Sequence, residues 1–402
     1  MSAAEGERQR YERYKRAIAG EPMPCALVDL DAVDENVRRM LAVVEGLKAT
    51  VRVASKSIRC APLLKYILGR SERMKGLMCY SAREAAWLSE LGFDDQLVAY
   101  PSVQRADLAA VCAHPDRISI AVDCEVHVRA LADAAARAGV VAKAVIDFDP
   151  SLRLSGGRVH LGVRRSPLHT VDEIMRVVDR IAAEKSLVLH GVMAYEAHVA
   201  GLPDKNPFAP LMNAPYRAFK ALARRQMKQL RSDVFEALSR RGLGGLLYNG
   251  AGTASADVAR TEPWLTEVTI GSGFVASHLF DYYENLSLVP AAYYALQVTR
   301  VPAPGFVTAA GGGYVASGGA GREKLPLPAL PPGLSLLPDE GAGEVQTPLR
   351  VPRDVSLTPG DPVFFRHSKA GELAEHFSEY LFVRGEHVLE RVRTYRGDGY
   401  VF

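Results

Sequence analysis

Paired cysteines, a strong net charge and long apolar runs are all missing from this sequence. Its 402 residues include only five cysteines, all in the first third of the chain, and no two of them have C-x-x-C spacing. This pattern argues against a disulfide scaffold or a structural zinc site and favours a reducing cytoplasm. With a formal net charge of +3 and dispersed basic residues, the chain has no evident surface for nucleic acid or for a membrane.

Signals for export or membrane anchoring are missing as well. The apolar stretches fall short of the roughly 18 residues that span a bilayer. Residues 1–16 are charged and lack the apolar core of a signal peptide. Since 48% of the residues are hydrophobic and 24% are charged, we expect a globular cytoplasmic protein whose partners are small molecules.

The order of apolar segments predicts an α/β fold followed by a mostly β region. A chain of this length is too long for one ordinary core, so we expect two domains. Between residues 22 and 285, starting with a strand at 26–30, close to eight strands alternate with helices. This favours a closed (β/α)8 barrel of the TIM type over a doubly wound open sheet. Residues 286–402, with 1–21, predict a second domain of mostly antiparallel strands that completes the active site, and its proline-rich segment 324–338 predicts a surface loop.

The stretch from residue 51 to 59, V-R-V-A-S-K-S-I-R, carries the main candidate for chemistry. It begins as a β-branched strand, and Lys56 follows where that strand should end. In a barrel, side chains at the C-terminal ends of the strands form the active site. Lys56 is therefore either an ordinary solvated charge or a nucleophilic amine directed into a cleft.

Two glycine-rich turns predict a phosphate site. Residues 249–253, N-G-A-G-T, and residues 271–273, G-S-G, each follow a short predicted strand. Small residues let backbone N–H groups converge on an anion, and a hydroxyl adds a further donor. Such turns are usually only turns, but two of them after consecutive barrel strands favour a bound phosphate. The residues expected to hold it are Asn249, Gly250, Gly252, Thr253, Gly271, Ser272 and Gly273.

A phosphate site beside a strand-end lysine points to pyridoxal 5'-phosphate (PLP), bound to Lys56 as a Schiff base. Tyr195 follows another predicted strand and is either a contact of the cofactor ring or a structural tyrosine. Near the C-terminus, His367, Glu372 and His376 offer nitrogen and oxygen ligands for a divalent ion. Glu372 and His376 are also spaced to pair along one helical face.

With these residues in place, the chain resembles the fold-type III PLP-dependent enzymes. Within them it is most similar to the D-serine dehydratase and D-threonine aldolase group, described as amino acid aldolases or racemases. The similarity rests on Lys56, the segments 194–198 and 267–274, and the pattern G-D-x-V-x-F-x-H that ends at His367. It implies an alanine racemase-like N-terminal barrel, a C-terminal β domain, PLP, and usually a homodimer with the active site at the subunit interface.

Three differences from the family pattern bear on the site. Around the lysine, relatives commonly read R-P-H-A-K-T-H-K, whereas this chain reads R-V-A-S-K-S-I-R. Lys369 stands where the family has the Cys or Asp of its metal pair. An ammonium repels a cation, so a divalent metal at His367 is expected only if Glu372 or His376 substitutes. The family's R-P-G becomes T-I-G at 269–271, so the arginine expected at the pyridine nitrogen of PLP is absent. Thr269 or Tyr195 would have to contact that nitrogen instead.

These features predict a PLP-dependent lyase with Lys56 and His367 as catalytic residues. In this hypothesis His367 polarises the β-hydroxyl of a D-amino acid of the D-threonine or D-serine type, which undergoes retro-aldol cleavage or dehydration and deamination. The alternatives are an amino acid racemase, a non-catalytic PLP-binding protein and a cofactor-free phosphosugar enzyme. A racemase needs a second base, for which Tyr282, Tyr283, Tyr293, Tyr294 and Tyr314 are available.

Overall fold

Eight parallel strands close into a barrel in the computed structural model, which describes residues 3–154, 158–319, 321–369 and 371–402. The last barrel strand pairs with the first, so the predicted closed barrel is confirmed and the open sheet is excluded. In chain order the barrel strands are Thr50–Ala54, Met74–Cys79, Gln96–Val98, Ile118–Val122, Ala142–Asp147, Leu187–Ala194, Leu247–Gly250 and Glu267–Ile270.

Helices between the strands cover the outside of the barrel. Val171–Ala182 shows why they form, because Thr170 and Glu173 make a capping box at its start and its apolar residues recur on one buried face. No helix of the described residues is both long and apolar enough to cross a membrane. The helices of this part of the chain are Leu30–Val43, Ala61–Leu68, Ala82–Glu90, Arg105–Cys112, Glu125–Ala138, Val171–Ala182, Ala197–Ala200, Asn213–Arg240 and Ser272–Val275.

A second sheet, of nine strands, confirms the expected mostly antiparallel β domain. The proline-rich segment expected to be a surface loop instead contains two short strands of this sheet. Proline is tolerated in the first of them because that strand pairs with a single neighbour. The strands are Cys25–Asp29, Ala292–Ala303, Phe306–Ala310, Leu327–Leu330, Ser335–Leu336, Gln346–Arg350, Pro362–Arg366, Glu379–Arg384 and His387–Arg393.

The first strand lies in a different sheet from the one predicted. The sequence pattern placed residues 26–30 in the barrel unit, whereas Cys25–Asp29 pairs with Ala292–Ala303 and with Glu379–Arg384 in the second sheet. A short apolar run does not reveal which sheet it joins. Asp29 then caps the helix Leu30–Val43, so the chain enters the barrel directly after this strand. Domain limits at 22 and 285 remain a prediction.

The N-terminal helix, Ala3–Ala17, packs against the second sheet, and the grouping of residues 1–21 with that domain stays a prediction. Tyr14 is fully buried, and its ring centre lies 5.3 Å from that of Tyr293 and 5.7 Å from that of Phe364. Its hydroxyl donates to Asp29 at 2.6 Å. A short helix in the second domain, Leu373–His376, lies near the end of the chain. Shorter elements are the 3-10 turns Ser55–Ser57, Pro210–Met212, Thr253–Arg260, His278–Tyr282 and Arg322–Lys324, and a hairpin of Leu152–Leu154 with Val159–Leu161.

Candidate active site

The barrel strands end at a cavity of about 460 Å³. Its walls are residues at or just after the C-terminal ends of the strands, together with residues of the second domain. In barrel enzymes this end of the strands holds the reacting groups. Of the residues predicted from the sequence, the cavity brings together Lys56, Tyr195, Asn249, Gly252, Thr253, Thr269, Gly271 and Ser272.

Lys56 lies in a one-turn 3-10 helix directly after the first barrel strand. Its two neighbours are buried and held by hydrogen bonds. Ser55 Oγ donates to Met78 O at 3.0 Å, and Ser57 Oγ lies 3.2 Å from Ser272 Oγ. The Lys56 side chain itself is exposed and borders the cavity. The backbone is therefore fixed while the amine remains available to a ligand.

The two glycine turns, residues 249–253 and 271–273, are joined by hydrogen bonds. Thr253 Oγ1 accepts from Gly273 N at 3.1 Å and from Gly271 N at 3.5 Å. Thr253 also begins a 3-10 helix of eight residues, and the first N–H groups of a helix attract anions. The joined turns and the helix start therefore suit the phosphate predicted for this place.

The Tyr195 ring lies directly against the first glycine turn. A Cβ on Gly252 would lie 2.8 Å from Tyr195 Cε2, so glycine is required for this approach. A Cβ on Gly271 would similarly lie 2.7 Å from Ser57 Oγ. Burial raises the pKa of the Tyr195 hydroxyl above its ordinary value, so this hydroxyl remains protonated at neutral pH.

A buried ion cluster supports the first glycine turn from behind. Glu196 accepts hydrogen bonds from Ala251 N at 3.2 Å, from Ser255 Oγ and from Arg231. Arg231 also pairs with Glu262, and the side chains of all three charged residues are at most 1% exposed. Because a buried charge that loses its partner is strongly destabilising, this cluster fixes the backbone of the turn.

Two of the predicted cofactor glycines shape the turns without lining the cavity. A Cβ on Gly250 would lie 3.0 Å from Arg231 Nη2, and one on Gly273 would lie 3.0 Å from Met40 Sδ. These glycines therefore let the turns pack closely against the residues beneath them.

Asn249 and Thr269 form a polar pair at the base of the cavity. Asn249 Nδ2 donates to Thr269 Oγ1 at 2.8 Å and to Glu267 Oε1 at 2.7 Å. Glu267 in turn pairs with the buried Arg52. Since Thr269 Oγ1 accepts from Asn249, its own proton is left to be donated towards a ligand.

Arg165 is a cavity residue that the sequence analysis missed. Its Nε lies 2.8 Å from Asp147 Oδ2, and its guanidinium carbon lies 5.4 Å and 5.8 Å from the ring centres of Tyr100 and Tyr195. Burial raises the pKa of Asp147 to about 7, and the charge of Arg165 opposes this rise. The only signal for Arg165 in the sequence is the unusual length of the connection between residues 147 and 171. Active-site residues concentrate in such long connections.

The second domain contributes two lysines to the cavity, Lys324 and Lys369. Burial lowers the pKa of Lys369, and the charges of Lys324 and Lys56 lower it further, whereas Glu372 opposes the shift. No aspartate or glutamate among the described residues lines the cavity. The cavity is therefore a cationic space.

His367 and Glu372 lie outside this cavity, next to a gap of about 10 Å³. His367 is buried, and burial lowers the pKa of its imidazole to about 3. Glu372 Oε1 accepts from Ser317 N at 3.1 Å, and the nearby Lys369 ammonium supplies a positive charge. A neutral imidazole is the form that binds metals, whereas the Lys369 ammonium near Glu372 repels a cation. A metal at His367 and Glu372 therefore stays a prediction. Within the described ranges, the three side chains that cluster with metal-ligand spacing are Asp123, Cys124 and His127.

Comparison with known proteins relates the chain to alanine racemase and to enzymes of similar fold. The sequence matches the family model for the N-terminal domain of alanine racemase over residues 28–265, and no curated protein gives a significant match. The fold is similar to D-threonine aldolase from Filomicrobium marinum, with a TM-score of 0.77 and 18% identity over 95% of this chain and 96% of that one. It is also similar to D-threo-3-hydroxyaspartate dehydratase from Delftia sp. HT23, with a TM-score of 0.73 and 16% identity over 94% and 98% of the two chains. Alanine racemase from Bacillus anthracis has a TM-score of 0.62 and 16% identity over 93% and 98%.

At these identities the solved structures establish the fold, and the family model, which covers more than half of the residues, establishes the relationship. The resemblance to fold-type III PLP-dependent enzymes is thereby confirmed. The chain belongs to the family of proteins with an alanine racemase N-terminal domain.

Proposed function

We propose that the protein is a PLP-dependent lyase that cleaves or dehydrates a D-β-hydroxy amino acid of the D-threonine or D-serine type. The observation that carries the proposal is the convergence of Lys56 and both glycine turns on one cavity at the C-terminal ends of the barrel strands. The likeness in fold to a D-threonine aldolase and to a D-threo-3-hydroxyaspartate dehydratase supports the choice of a lyase.

The residues around the cavity fit PLP. The Lys56 amine would bind its aldehyde, and the turns beginning at Asn249 and Gly271 would hold its phosphate. Tyr195 and Thr269 would contact the ring. Glycine at position 252 lets the Tyr195 ring lie against the first turn, which puts that ring next to the proposed phosphate site.

PLP supplies an electron sink for negative charge that develops at the substrate Cα. Lys56 Nζ, which lines the cavity, would accept or return the proton that the reaction moves. The charge of Arg165 would hold the carboxylate on the substrate Cα. His367 is assigned no step because it does not line the cavity, and its catalytic role remains a prediction.

Within a single chain, the tyrosines support a racemase less well. Of the five tyrosines considered as a second base, only Tyr283 lines the cavity. Its hydroxyl donates to Ala200 O at 2.8 Å, and burial raises its pKa. Both effects keep the proton on Tyr283, whereas a second base must be able to accept one.

A homodimer is part of the proposal. In the single chain the Lys56 side chain is exposed, and a second subunit over the cavity mouth would exclude water from it. Analytical ultracentrifugation of the PLP-loaded protein should show a dimer at micromolar concentration, and a protein that is active as a monomer would contradict this part of the proposal.

The first test is the visible absorbance of lysine-bound PLP. Purified protein incubated with PLP should show this band after gel filtration, and Lys56→Ala should remove it because the Lys56 amine is the one proposed to bind the aldehyde. The matched control is Lys48→Ala, which changes an exposed lysine outside the cavity. A wild-type protein without the band, or a Lys56→Ala variant that retains it, would end the proposal.

The second test separates lyase from racemase. The loaded protein should convert D-threonine to glycine and acetaldehyde, or D-serine to pyruvate and ammonia, and Lys56→Ala should lose this activity. Incubation of a single enantiomer in deuterated water, followed by chiral chromatography, detects racemisation. Accumulation of the mirror-image amino acid without any cleavage product would favour the racemase.

A further inference from the structure

The cavity holds more positive charge than the proposed cofactor chemistry uses. Four cationic side chains line it, those of Lys56, Arg165, Lys324 and Lys369, and no acidic residue of the described chain does. Arg165 is paired with Asp147, and Lys56 is assigned to PLP. Lys324 and Lys369 therefore remain without an anionic partner inside the cavity.

These two lysines meet at one corner of the cavity, which we call the lysine corner. The Nζ atoms of Lys324 and Lys369 both lie 3.9 Å from the point where a Cβ would stand on Gly318. Gly318 has a φ of +109°, which a residue with a side chain rarely adopts. Both ammonium groups therefore lie beside the backbone of Gly318, which has no side chain to stand between them.

The lysine corner is held in place by hydrogen bonds on both sides of Lys324. The carbonyl before it, Glu323 O, accepts from Ser368 Oγ at 2.7 Å, and the carbonyl after it, Leu325 O, accepts from His278 Nε2 at 2.8 Å. Lys369 Nζ also donates to Ser317 O at 3.1 Å. Two like charges held close together repel each other, and an anion placed between them removes that repulsion.

We propose that the lysine corner binds a carboxylate at the far end of the substrate side chain, so that the enzyme prefers, among D-β-hydroxy amino acids, those with an acidic side chain. This rests on the proposed function, because the corner borders the same cavity as Lys56. Lysine offers only donors and carries a compact charge. The two ammonium groups therefore recognise a carboxylate and discriminate against the amide of the same shape, whose N–H₂ group has no acceptor at either ammonium.

Calorimetric titration of the PLP-loaded protein with D-aspartate and with D-asparagine tests the proposal. D-Aspartate should bind roughly tenfold or more tightly, as a charge-assisted hydrogen bond implies. Lys324→Met and Lys369→Met should each remove most of this preference. Lys324→Arg, which keeps the charge, should retain it. The matched control Lys48→Met, at an exposed lysine outside the cavity, should behave as the wild type.

The outcomes separate this inference from the proposed function. PLP loading is measured by absorbance on the same samples, and its absence in the wild type defeats the proposed function itself. Normal PLP loading with equal affinity for D-aspartate and D-asparagine overturns only the carboxylate-binding role proposed for the lysine corner. O-Phospho-D-serine is titrated as well, and tighter binding of this phosphate than of D-aspartate overturns the assignment to a carboxylate.

Discussion

His278 is a buried imidazole with a hydrogen-bond partner at each ring nitrogen. Leu325 O can only accept, so Nε2 carries the proton, and Nδ1 accepts from the Tyr282 hydroxyl at 3.3 Å. Burial, together with the charge of Arg366, lowers the pKa of this histidine to about 4. The ring is therefore neutral at physiological pH and holds the loop that carries Lys324.

The neutral state of His278 should make stability depend on pH. Its folded pKa of about 4 lies below the unfolded value of about 6.5, so its contribution is complete above pH 6.5 and is lost as the pH falls towards 4. His278→Gln keeps an N–H donor and does not titrate. Between pH 7.5 and 4.5, the wild type should lose roughly 2 kcal/mol more unfolding free energy than this variant.

Urea unfolding at the two pH values measures this difference, and His387→Gln, at an exposed histidine, is the control. Equal losses in the wild type and His278→Gln would show that His278 does not titrate in this range.

At the residue scale, the sequence predicted those site residues that local pattern can reveal. Lys56 and the glycine turns follow strands directly, so strand ends located them. Arg165 and Lys324 reach the cavity from long connections, and no local pattern marks where such a segment folds back. His367 was assigned to the site from a motif, but the motif could not reveal that Lys369, two residues later, lines the cavity instead.

At the element scale, the helix Asn213–Arg240 is long and mostly polar, but one of its charges is fully buried. Arg231 reaches Glu196 and Glu262 beneath the first glycine turn, and its Nη2 also donates to Ala194 O. This side chain joins the helix to a strand end and to the turn. The position of the proposed phosphate site therefore depends on a helix that does not border the cavity.

Replacing Arg231 should lower the unfolding free energy and disturb the first glycine turn. Arg231→Met leaves two carboxylates buried without their cation and should cost about 3–5 kcal/mol of unfolding free energy, measured by urea unfolding. PLP affinity, measured by absorbance titration, should fall in protein that remains folded. Arg240→Met changes an exposed arginine of the same helix and should alter neither quantity. An Arg231→Met variant with wild-type stability would refute the proposed role of the cluster.

The sequence located most strands and helices because alternation of strands and helices is a local signal. It did not reveal that Cys25–Asp29 lies in the second sheet, since that membership is set by partners that come more than 260 residues later in the chain. It also treated residues 324–338 as a loop, because proline argues against a central strand but not against a strand at an edge.

At the scale of the whole molecule, the barrel and the second sheet share several structural links. Asp29 ends a strand of the second sheet and caps a barrel helix. Trp87, on a barrel helix, packs against Tyr395 and Phe402 from the end of the chain, with ring centres 5.0 Å and 5.6 Å away. Because these links are buried or aromatic, the two units should unfold together.

Tyr14→Ala tests this cooperativity. It empties a fully buried site beneath the second sheet and should cost about 3 kcal/mol or more. In a Trp87→Phe background the sole remaining tryptophan, Trp264, lies beside the last barrel strand, so its fluorescence reports on the barrel. The denaturation midpoint of Trp264 should fall with Tyr14→Ala and much less with Tyr14→Phe, which keeps the ring. An unchanged midpoint would mean that the barrel unfolds independently.

The placement of the first strand also has a consequence for biosynthesis. On the ribosome, Cys25–Asp29 emerges early, while its two neighbours in the sheet are still untranslated. Every barrel strand can find its partners before then, because the last of them ends at Ile270. The apolar strand Cys25–Asp29 therefore stays unpaired in the nascent chain until Ala292 and the residues after it have left the exit tunnel. During this interval the protein is most exposed to misassembly and most in need of chaperones.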